Sequence, residues 1–248
     1  MYRGLKVGAV IVAAGKGKRM GRSINKQFLK IDNIPVLART LLTFSNIAMI
    51  DNIVVVVDKD EVEHCRKDII NEYDINRVLD IMPGGKERQN SVLNGLKVLK
   101  DRCDIVVTHD GARPLVNTDT IVQSIRYAYM YGAAVCGAPV KDTIKILCHD
   151  DFIVGTPDRS KLYAVQTPQT FKFDLLYKAH KLAIEEGFTG TDDTVLVERM
   201  GVRVKLFSGS YENIKITCPE DIYLAEAILK HRSDREIYYM SDVERVDK

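Results

Sequence analysis

Four short, continuous apolar segments, rich in β-branched residues, constrain most strongly what this chain can fold into. Because their apolar residues do not alternate with polar ones, the segments are typical of strands buried on both faces of a parallel sheet. Patterns typical of amphipathic helices lie between them, which predicts an α/β fold with crossover connections. The predicted strands are Lys6–Val12, Ile53–Val57, Ile105–Thr108 and Ala133–Gly137, and the predicted helices are Glu61–Tyr73, Glu87–Lys100 and Thr118–Tyr131.

The pattern changes after Pro139. The stretch Val140–Gln166 contains the strand-like pieces Thr143–Leu147 and Phe152–Gly155 but no clear helix. A polar stretch of this length is unusual as a simple connection in a compact domain, so we predict a protruding β-arm over residues 140–166. Further along, the patterns predict helices at Asp174–Glu186 and Asp193–Gly201, strands at Val202–Phe207 and Asn213–Thr217, and a last helix from about Pro219.

The length of 248 residues suits one α/β domain, which we place at residues 1–231, followed by a charged, frayed tail at residues 232–248. With 36 basic and 34 acidic residues, the net charge of +2 gives no reason to expect nucleic acid as a partner. The apolar N-terminal run is too short for a membrane span and lacks a signal-peptide cleavage pattern, so no membrane partner is expected. Five scattered cysteines, an odd number, are typical of a protein of the reducing cytoplasm.

A glycine-rich segment at Ala13–Gly21 directly follows the first predicted strand and gives the strongest chemical signal. Glycines allow backbone N–H groups to turn toward an anion, and four nearby cations strengthen the prediction of a phosphate site. The segment does not fit the dinucleotide fingerprint, because Met20 stands where the third glycine belongs, and it does not fit the Walker pattern. A tight surface turn with solvated lysines is the alternative interpretation. The four cations are Lys16, Lys18, Arg19 and Arg22.

Further short motifs follow in order along the chain. They are KQFL at 26–29, GGKERQNSV at 84–92, HDGARP at 109–114, PVKDTIK at 139–145, Arg159, QTPQ at 166–169, TDD at 191–193 and NIKIT at 213–217. Together with the glycine segment, these motifs resemble the 2-C-methyl-D-erythritol 4-phosphate cytidylyltransferase family of glycine-loop nucleotidyltransferases. The resemblance extends from residue 6 to about residue 230, and an ordered series of motifs is far more specific than any one of them.

This resemblance implies a Rossmann-like three-layer α/β domain that transfers CMP from CTP to 2-C-methyl-D-erythritol 4-phosphate and releases pyrophosphate. The family's catalytic cations correspond to Arg19, Lys26 and Lys215. The positions that contact CTP correspond to Ala13, Ala14, Gly15, Gly17, Gly84, Gly85, Arg88, Ser91 and Asp110. The positions that contact the phosphate of the acceptor correspond to Arg113, Thr143, Arg159, Thr191 and Lys215.

The resemblance also implies a mechanism, a metal ion and a partner. The acceptor's phosphate is already anionic at neutral pH, so it can attack the α-phosphorus of CTP in line without a dedicated general base. Mg²⁺, or another divalent cation, is expected to be held mainly by the CTP phosphates, with Asp110 as a candidate ligand. The β-arm implies a homodimer, in which Thr143 and Arg159 act either in their own subunit or across the interface.

Two alternatives remain open from the sequence. A D-ribitol-5-phosphate cytidylyltransferase shares the loop and the KQFL, QTPQ and NIK elements, although Arg159 in its Pro-Asp-Arg setting favours the methylerythritol enzymes. A CTP-binding module without catalysis would not require the three cations Arg19, Lys26 and Lys215 together. The sequence departs from the family pattern at Asn25, where proline is frequent, and at Gly111, where alanine is frequent.

Overall fold

The computed structural model of the chain describes residues 1–15 and 25–246, which form a sheet with helices on both faces. The strands are β1 (Val7–Val12), β2 (Lys30–Ile31), β3 (Ile34–Pro35), β4 (Asn52–Val57), β5 (Val78–Pro83), β6 (Ile105–Asp110), β7 (Ala133–Pro139), β8 (Ile146–Leu147), β9 (Ile153–Gly155), β10 (Tyr163–Lys172) and β11 (Lys205–Ser208). The α-helices are α1 (Val36–Ser45), α2 (Val62–Cys65), α3 (Arg88–Leu99), α4 (Thr118–Tyr131), α5 (Phe173–Glu185), α6 (Asp193–Glu198) and α7 (Glu220–Val246). Short 3₁₀ turns lie at Lys26–Phe28, Lys59–Glu61 and Arg159–Lys161, and α2 continues as a π-helical segment at Arg66–Asn71.

The central sheet of the described residues has seven strands in the order β11-β7-β10-β6-β1-β4-β5. β1 is parallel to both of its neighbours, β4 and β6. β5 is parallel to β4, and β11 is parallel to β7. β10 is antiparallel to β6 and β7 and is therefore the reversed strand of the seven. The predicted Rossmann-like α/β fold with a mostly parallel sheet is confirmed.

The strands point their side chains alternately into two apolar cores, one on each face of the sheet, which produces three layers. The first core lies beneath α1, α2 and α4 and includes Ile11, Leu41, Phe44, Val55 and Ile125. The second core lies beneath α3, α5 and α6 and includes Val10, Val56, Leu96, Leu176 and Val197. Full burial of one such side chain contributes about 1.5–3 kcal/mol, so the two cores hold the helices firmly against the sheet.

α3 lies close to β1 because Gly95 faces the strand. A Cβ atom at position 95 would lie 2.5 Å from Cγ1 of Val10, which no real packing allows. The first turn of α3 is closed by a reciprocal capping box, in which Glu87 and Asn90 each accept the backbone N–H of the other. The close packing and the cap together set the position of Arg88, the first residue of α3, near the carboxyl end of the sheet.

Most predicted elements are confirmed within a few residues, and α4 has the predicted bounds Thr118–Tyr131. The predicted strand at Asn213–Thr217 is wrong, because these residues bond to neighbouring loops and join no ladder. α7 continues to Val246, whereas the sequence predicted a frayed tail from residue 232. Neither α7 nor any other helix in the described ranges is long and apolar enough to cross a membrane.

β10 was not predicted as a strand. It contains the QTPQ motif, and proline is rare inside a central strand. The structure accommodates Pro168 at an irregularity: the pairing of β10 with β7 shifts register between Val165 and Gln169. A bulge of this kind redirects side chains away from the regular ladder. It turns Gln166 and Thr167 toward the site described below.

The excursion between β7 and β10 contains the exposed hairpin of β8 and β9 and no α-helix, as the sequence predicted. It ends earlier than predicted, because Tyr163 already pairs with Pro139 in the central sheet. Phe152, Ile153 and Val154 are 71%, 61% and 62% exposed. We call residues 140–162 the β-arm from here on. The β-arm therefore lacks the packing that the rest of the fold has. A two-stranded hairpin without such packing is only marginally stable in water.

Candidate active site

A cavity of about 490 Å³, which we call the main cleft, opens where β1, β4 and β6 end. In open α/β sheets, ligands bind outside the carboxyl ends of the strands. β1 leads into Ala13–Gly15, β4 leads to Asp58, and β6 ends at Asp110. The described residues that line the cleft are Val12, Ala13, Ala14, Gly15, Lys26, Gln27, Asp58, Gly85, Lys86, Glu87, Arg88, Ser91, Asp110, Ala112 and Lys215.

The KQFL motif begins with a 3₁₀ turn that forms one wall of the main cleft. Lys26 is only 9% exposed, and its Nζ donates a hydrogen bond of 2.8 Å to the carbonyl of Ile216. The buried side-chain amide of Gln27 donates to the carbonyls of Ala13 and Gly15. Gln27 therefore holds the start of the glycine-rich segment, a role that was not predicted from the KQFL motif.

Of the glycine pair at positions 84 and 85, Gly84 packs against Ala14 of that same segment and Gly85 packs against Asn90. A Cβ atom on Gly84 would lie 2.3 Å from the Cβ of Ala14, so only glycine permits this approach. Gly84 N–H donates to the carbonyl of Val57 at 2.7 Å, and Gly85 N–H donates to Ser91 Oγ at 3.0 Å. The turn therefore presents backbone groups, with no bulky side chain, to one end of the main cleft.

Asp110 is the central anion of the site. Its Oδ1 accepts from Arg88 Nε at 3.1 Å, and its Oδ2 lies 2.7 Å from Lys215 Nζ and 3.8 Å from Arg113 Nε. Burial alone would raise the pKa of Asp110, but Arg88, Lys215 and Arg113 outweigh it and hold the pKa well below the ordinary value. Asp110 thus stays ionised and keeps three cationic side chains together.

Arg88 is also held from below by a second buried carboxylate. Its Nη1 donates to Asp193 Oδ2 at 2.9 Å, and Thr108 Oγ1 donates to the same oxygen at 2.8 Å. His180 Nε2 lies 3.2 Å from Asp193 Oδ1, and Asp193 N–H donates to Gln169 Oε1 at 3.0 Å. Burial would raise the pKa of Asp193, but Arg88 and His180 lower it below the ordinary value.

This network was not predicted from the sequence. Its signal was the TDD motif at 191–193, in which two carboxylates precede an apolar helix. Asp192 is the N-cap of α6, accepting from Val195 N–H at 3.0 Å. Asp193, one residue later, points inward to Arg88. Which of two adjacent carboxylates enters the core depends on the packing of α6, and no sequence pattern reveals it.

A smaller cavity of about 140 Å³, the side cleft, adjoins the main cleft and shares three residues with it, Arg88, Asp110 and Lys215. Arg113 and Thr191, predicted to bind the acceptor's phosphate, both line it. Gln166, Thr167, Gln169 and Asp192 also line it and belong to motifs named above, but no role was predicted for them. Val165 lines it as well. The arrangement suits an anion in the side cleft next to a longer ligand in the main cleft.

The NIKIT segment at 213–217 joins the two clefts through its backbone. Arg113 Nη1 donates 2.6 Å to the carbonyl of Asn213, and Asn213 Nδ2 donates 2.9 Å to the carbonyl of Thr167. Ile216 N–H donates to the carbonyl of Ala112 at 2.8 Å. These bonds explain why the segment is not a strand: its polar groups are used to hold Lys215 and the carbonyl that receives Lys26.

Among the predicted site residues that the structure describes, two lie away from the others. Thr143 and Arg159 are exposed on the β-arm and line neither cleft. Arg159 Nη1 donates instead to the carbonyl of Lys141 at 2.6 Å. Arg19 and Gly17, with the cations Lys16, Lys18 and Arg22, lie outside the described residues. The other predicted residues line one of the two clefts, and Gly84 packs behind the main cleft.

The fit of the site to a divalent cation follows from its carboxylates. Residues 1–15 and 25–246 contain no cluster of three or more His, Cys, Asp or Glu side chains that could hold a metal ion. Asp58 and Asp110 line the main cleft. Such a site suits Mg²⁺, which keeps several waters and binds through one or two carboxylates and substrate phosphates.

Comparison with known proteins identifies the family. The family model described as IspD: 2-C-methyl-D-erythritol 4-phosphate cytidylyltransferase matches residues 7–231. A relative of that name from Caldanaerobacter subterraneus subsp. tengcongensis is 51% identical over 226 residues, which is 91% of this chain and 100% of the relative. A relative of the same name from Clostridium novyi is 48% identical over 223 residues, covering 90% of this chain and 96% of the relative.

Similar solved structures point to the same family. The 4-diphosphocytidyl-2C-methyl-D-erythritol synthase of Anaerococcus prevotii superposes with a TM-score of 0.82 at 35% identity, covering 92% of this chain and 97% of that one. The 2-C-methyl-D-erythritol 4-phosphate cytidylyltransferase of Thermus thermophilus gives 0.74 at 30% identity, covering 91% and 100%. The fold, the lining of the main cleft, and the matching family model, relatives and solved structures together define a nucleotidyltransferase. The chain belongs to the 2-C-methyl-D-erythritol 4-phosphate cytidylyltransferase family.

Proposed function

We propose that this chain transfers CMP from CTP to the phosphate of 2-C-methyl-D-erythritol 4-phosphate and releases pyrophosphate. The observation that carries the proposal is the convergence of Lys26, Arg88 and Lys215 on one cleft, beside a glycine turn and the start of the glycine-rich segment. Relatives that are about half identical over nine tenths of the chain carry the name of this activity.

CTP is proposed to occupy the main cleft. The triphosphate would lie between the ammonium groups of Lys26 and Lys215, because these cations can stabilise the charge that develops at the α-phosphorus. Cytosine would lie at the Gly84–Gly85 turn, where backbone groups can read the edge of a small base. Arg19 is proposed to contact the triphosphate on the strength of its motif alone.

The acceptor's phosphate is proposed to occupy the side cleft. Arg113 and Thr191 line this cleft, and Lys215 stands between it and the main cleft. A guanidinium binds phosphate through its planar fork, whereas an ammonium acts as a point charge that can serve both substrates. An anion in the side cleft would compete with Asp110 for its three cations and so draw Lys215 toward the reacting groups.

The chemistry needs positioning more than proton transfer. A phosphate oxygen of the acceptor attacks the α-phosphorus, the bond to the β-phosphate oxygen breaks, and pyrophosphate leaves with that electron pair. His109, the histidine of the HDGARP motif, is buried. Burial lowers its pKa to about 3 and keeps the imidazole neutral. Its Nε2 lies 3.3 Å from the carbonyl of Arg113, and it lines neither cleft, so it is not a candidate general base.

A divalent cation, most simply Mg²⁺, is proposed to bind with CTP, held mainly by the phosphates of CTP and with Asp110, which lines the main cleft, as the candidate protein ligand. When bound, such an ion neutralises phosphate charge and stabilises the leaving pyrophosphate. Asp110 would have to exchange one of its present cationic partners to take part, and Lys215 is the most exposed of them.

A homodimer formed through the β-arm is proposed on two observations. The hairpin exposes Phe152, Ile153 and Val154, and a second copy is the simplest cover for such a surface. Thr143 and Arg159 lie on the β-arm, outside both clefts of their own subunit, which favours action across the interface. A cytoplasmic location is proposed from the five scattered cysteines alone.

Pyrophosphate release by the purified protein with CTP and Mg²⁺ tests the proposal. We expect rapid release with 2-C-methyl-D-erythritol 4-phosphate and release at least about 100-fold slower with D-ribitol 5-phosphate, since a longer, unbranched acceptor would be misplaced in a site fitted to the branched one. A preference for ribitol phosphate would keep the mechanism and refute the acceptor. No release with either acceptor would favour a CTP-binding module without catalysis.

A further inference from the structure

The residue that precedes Lys26 is tied to a helical segment that the proposed chemistry does not use. Asn25 Nδ2 donates a hydrogen bond of 3.2 Å to Glu61 Oε2. Glu61 is the last residue of the 3₁₀ turn that leads into α2, and it is half-buried. Burial raises the pKa of Glu61, and the hydrogen bond from Asn25 opposes that rise. The contact therefore joins the segment that carries Lys26 to the element that follows β4.

A second contact runs beside the first. The rings of Phe28 and His64 have centroids 4.4 Å apart and meet edge to face at 64°. Asn25 and Phe28 are three residues apart, as are Glu61 and His64. Residues three apart lie on the same side of a 3₁₀ turn and on the same face of a helix, so both pairs can meet at once. The two contacts lie on either side of Lys26 and Gln27.

The segment that receives these contacts is anchored in the core. Asp58, directly after the buried strand β4, accepts from Asp60 N–H at 3.2 Å through its side chain. Its carbonyl accepts from Glu61 N–H at 2.9 Å. Asp58 also lines the main cleft. Side chains that rest on a rigid element hold a functional group more accurately than an unsupported loop does.

We infer that Glu61 is a positioning residue for Lys26, acting through Asn25, and that the contact between His64 and Phe28 supports the same segment. This inference rests on the proposed function, in which the Lys26 ammonium acts on the α-phosphate. The carbonyl of Ile216 holds Lys26 from the other side. Without the bond from Asn25 to Glu61, the 3₁₀ turn loses the tertiary contact directly before Lys26, and the ammonium is placed less accurately.

Two substitutions of Glu61 test the inference, with a neighbour as control. Glu61→Ala removes the acceptor, whereas Glu61→Gln keeps an oxygen for Asn25 Nδ2. Glu63→Ala is the control, because Glu63 is 87% exposed on the same segment and only approaches Arg66 at 3.9 Å. For each variant we would measure kcat and KM for CTP with the methylerythritol acceptor, the thermal midpoint, and the amide hydrogen exchange of residues 26–29.

We expect Glu61→Ala to lower kcat roughly 10- to 100-fold, since small misplacements of a catalytic group have effects of this size. KM for CTP should change by less than about threefold, because the charge that the Lys26 ammonium stabilises at the α-phosphorus develops in the transition state. Exchange at residues 26–29 should be faster in Glu61→Ala, while Glu61→Gln and Glu63→Ala should resemble the wild type. Equal kcat in Glu61→Ala and Glu63→Ala, equal losses in the alanine and glutamine variants, or unchanged exchange would each overturn the inference. A wild-type protein without transferase activity would instead refute the proposed function, and the exchange measurement would still decide whether Glu61 holds the segment.

Discussion

Replacement of Asp193 by alanine is expected to reduce the free energy of unfolding by about 3–5 kcal/mol, the cost of removing one partner from a buried ion pair. Its carboxylate is 1% exposed and receives Arg88, Thr108 and His180. Without it, the buried end of Arg88 keeps its positive charge but loses its nearer carboxylate. Because Arg88 also bonds to Asp110, the loss should extend to the wall of the main cleft.

Urea unfolding followed by circular dichroism measures this effect, with Asp119→Ala as the matched control. Asp119 occupies the first turn of α4 as Asp193 occupies the first turn of α6, but Asp119 is exposed. Loss of an exposed carboxylate at a helix N-terminus should cost at most about 1 kcal/mol. If the two variants differed by less than that, the buried network around Arg88 would not be the stabilising feature described here.

Substitution of Lys26 by methionine is expected to lower kcat about 100- to 1000-fold, as when one preorganised group that stabilises transition-state charge is removed. Methionine retains most of the apolar stem of this buried side chain, so the packing around the 3₁₀ turn should survive. The hydrogen bond from Nζ to the carbonyl of Ile216 is lost, and because Ile216 is fully buried, we expect this loss to cost about 1–3 kcal/mol of stability.

Steady-state kinetics with CTP and the methylerythritol acceptor, and a thermal midpoint for each protein, measure the Lys26→Met effect. Lys30→Met is the control, because Lys30 is an exposed lysine four residues along the same segment. We expect it to keep wild-type kcat. A Lys26→Met protein that folds normally and turns over at close to the wild-type rate would remove Lys26 from the mechanism.

The layers of the fold could be predicted because they depend on local patterns. Strands β1, β4, β6 and β7 are continuous apolar runs, and α3 and α4 repeat apolar residues at helical spacing. β10 could not be recognised, since its proline is tolerated only through a register shift against β7. The NIKIT segment looked like a strand because its apolar residues alternate with polar ones, whereas its backbone bonds go to side chains and loops far away in sequence.

The candidate site could be predicted only where a motif is itself the wall of the cleft. The glycine segment, Lys26, the Gly84–Gly85 turn and Asp110 are of this kind, and those that the structure describes line the main cleft or pack behind it. Side chains that act through tertiary contact gave no signal: Asp193 of α6 bonds to Arg88 and is itself contacted by His180 of α5. Glu61 is another example, since its contact with Asn25 spans 36 residues of sequence.

Phosphorus NMR of one reaction mixture tests the central claim most directly. The mixture contains the purified protein, CTP, Mg²⁺ and 2-C-methyl-D-erythritol 4-phosphate. We predict that the CTP and acceptor resonances decline together, while free pyrophosphate and a pair of coupled diphosphate-diester resonances appear in equal amounts. Formation of CMP or CDP without the diester, or a spectrum that does not change, would contradict direct CMP transfer to the acceptor's phosphate.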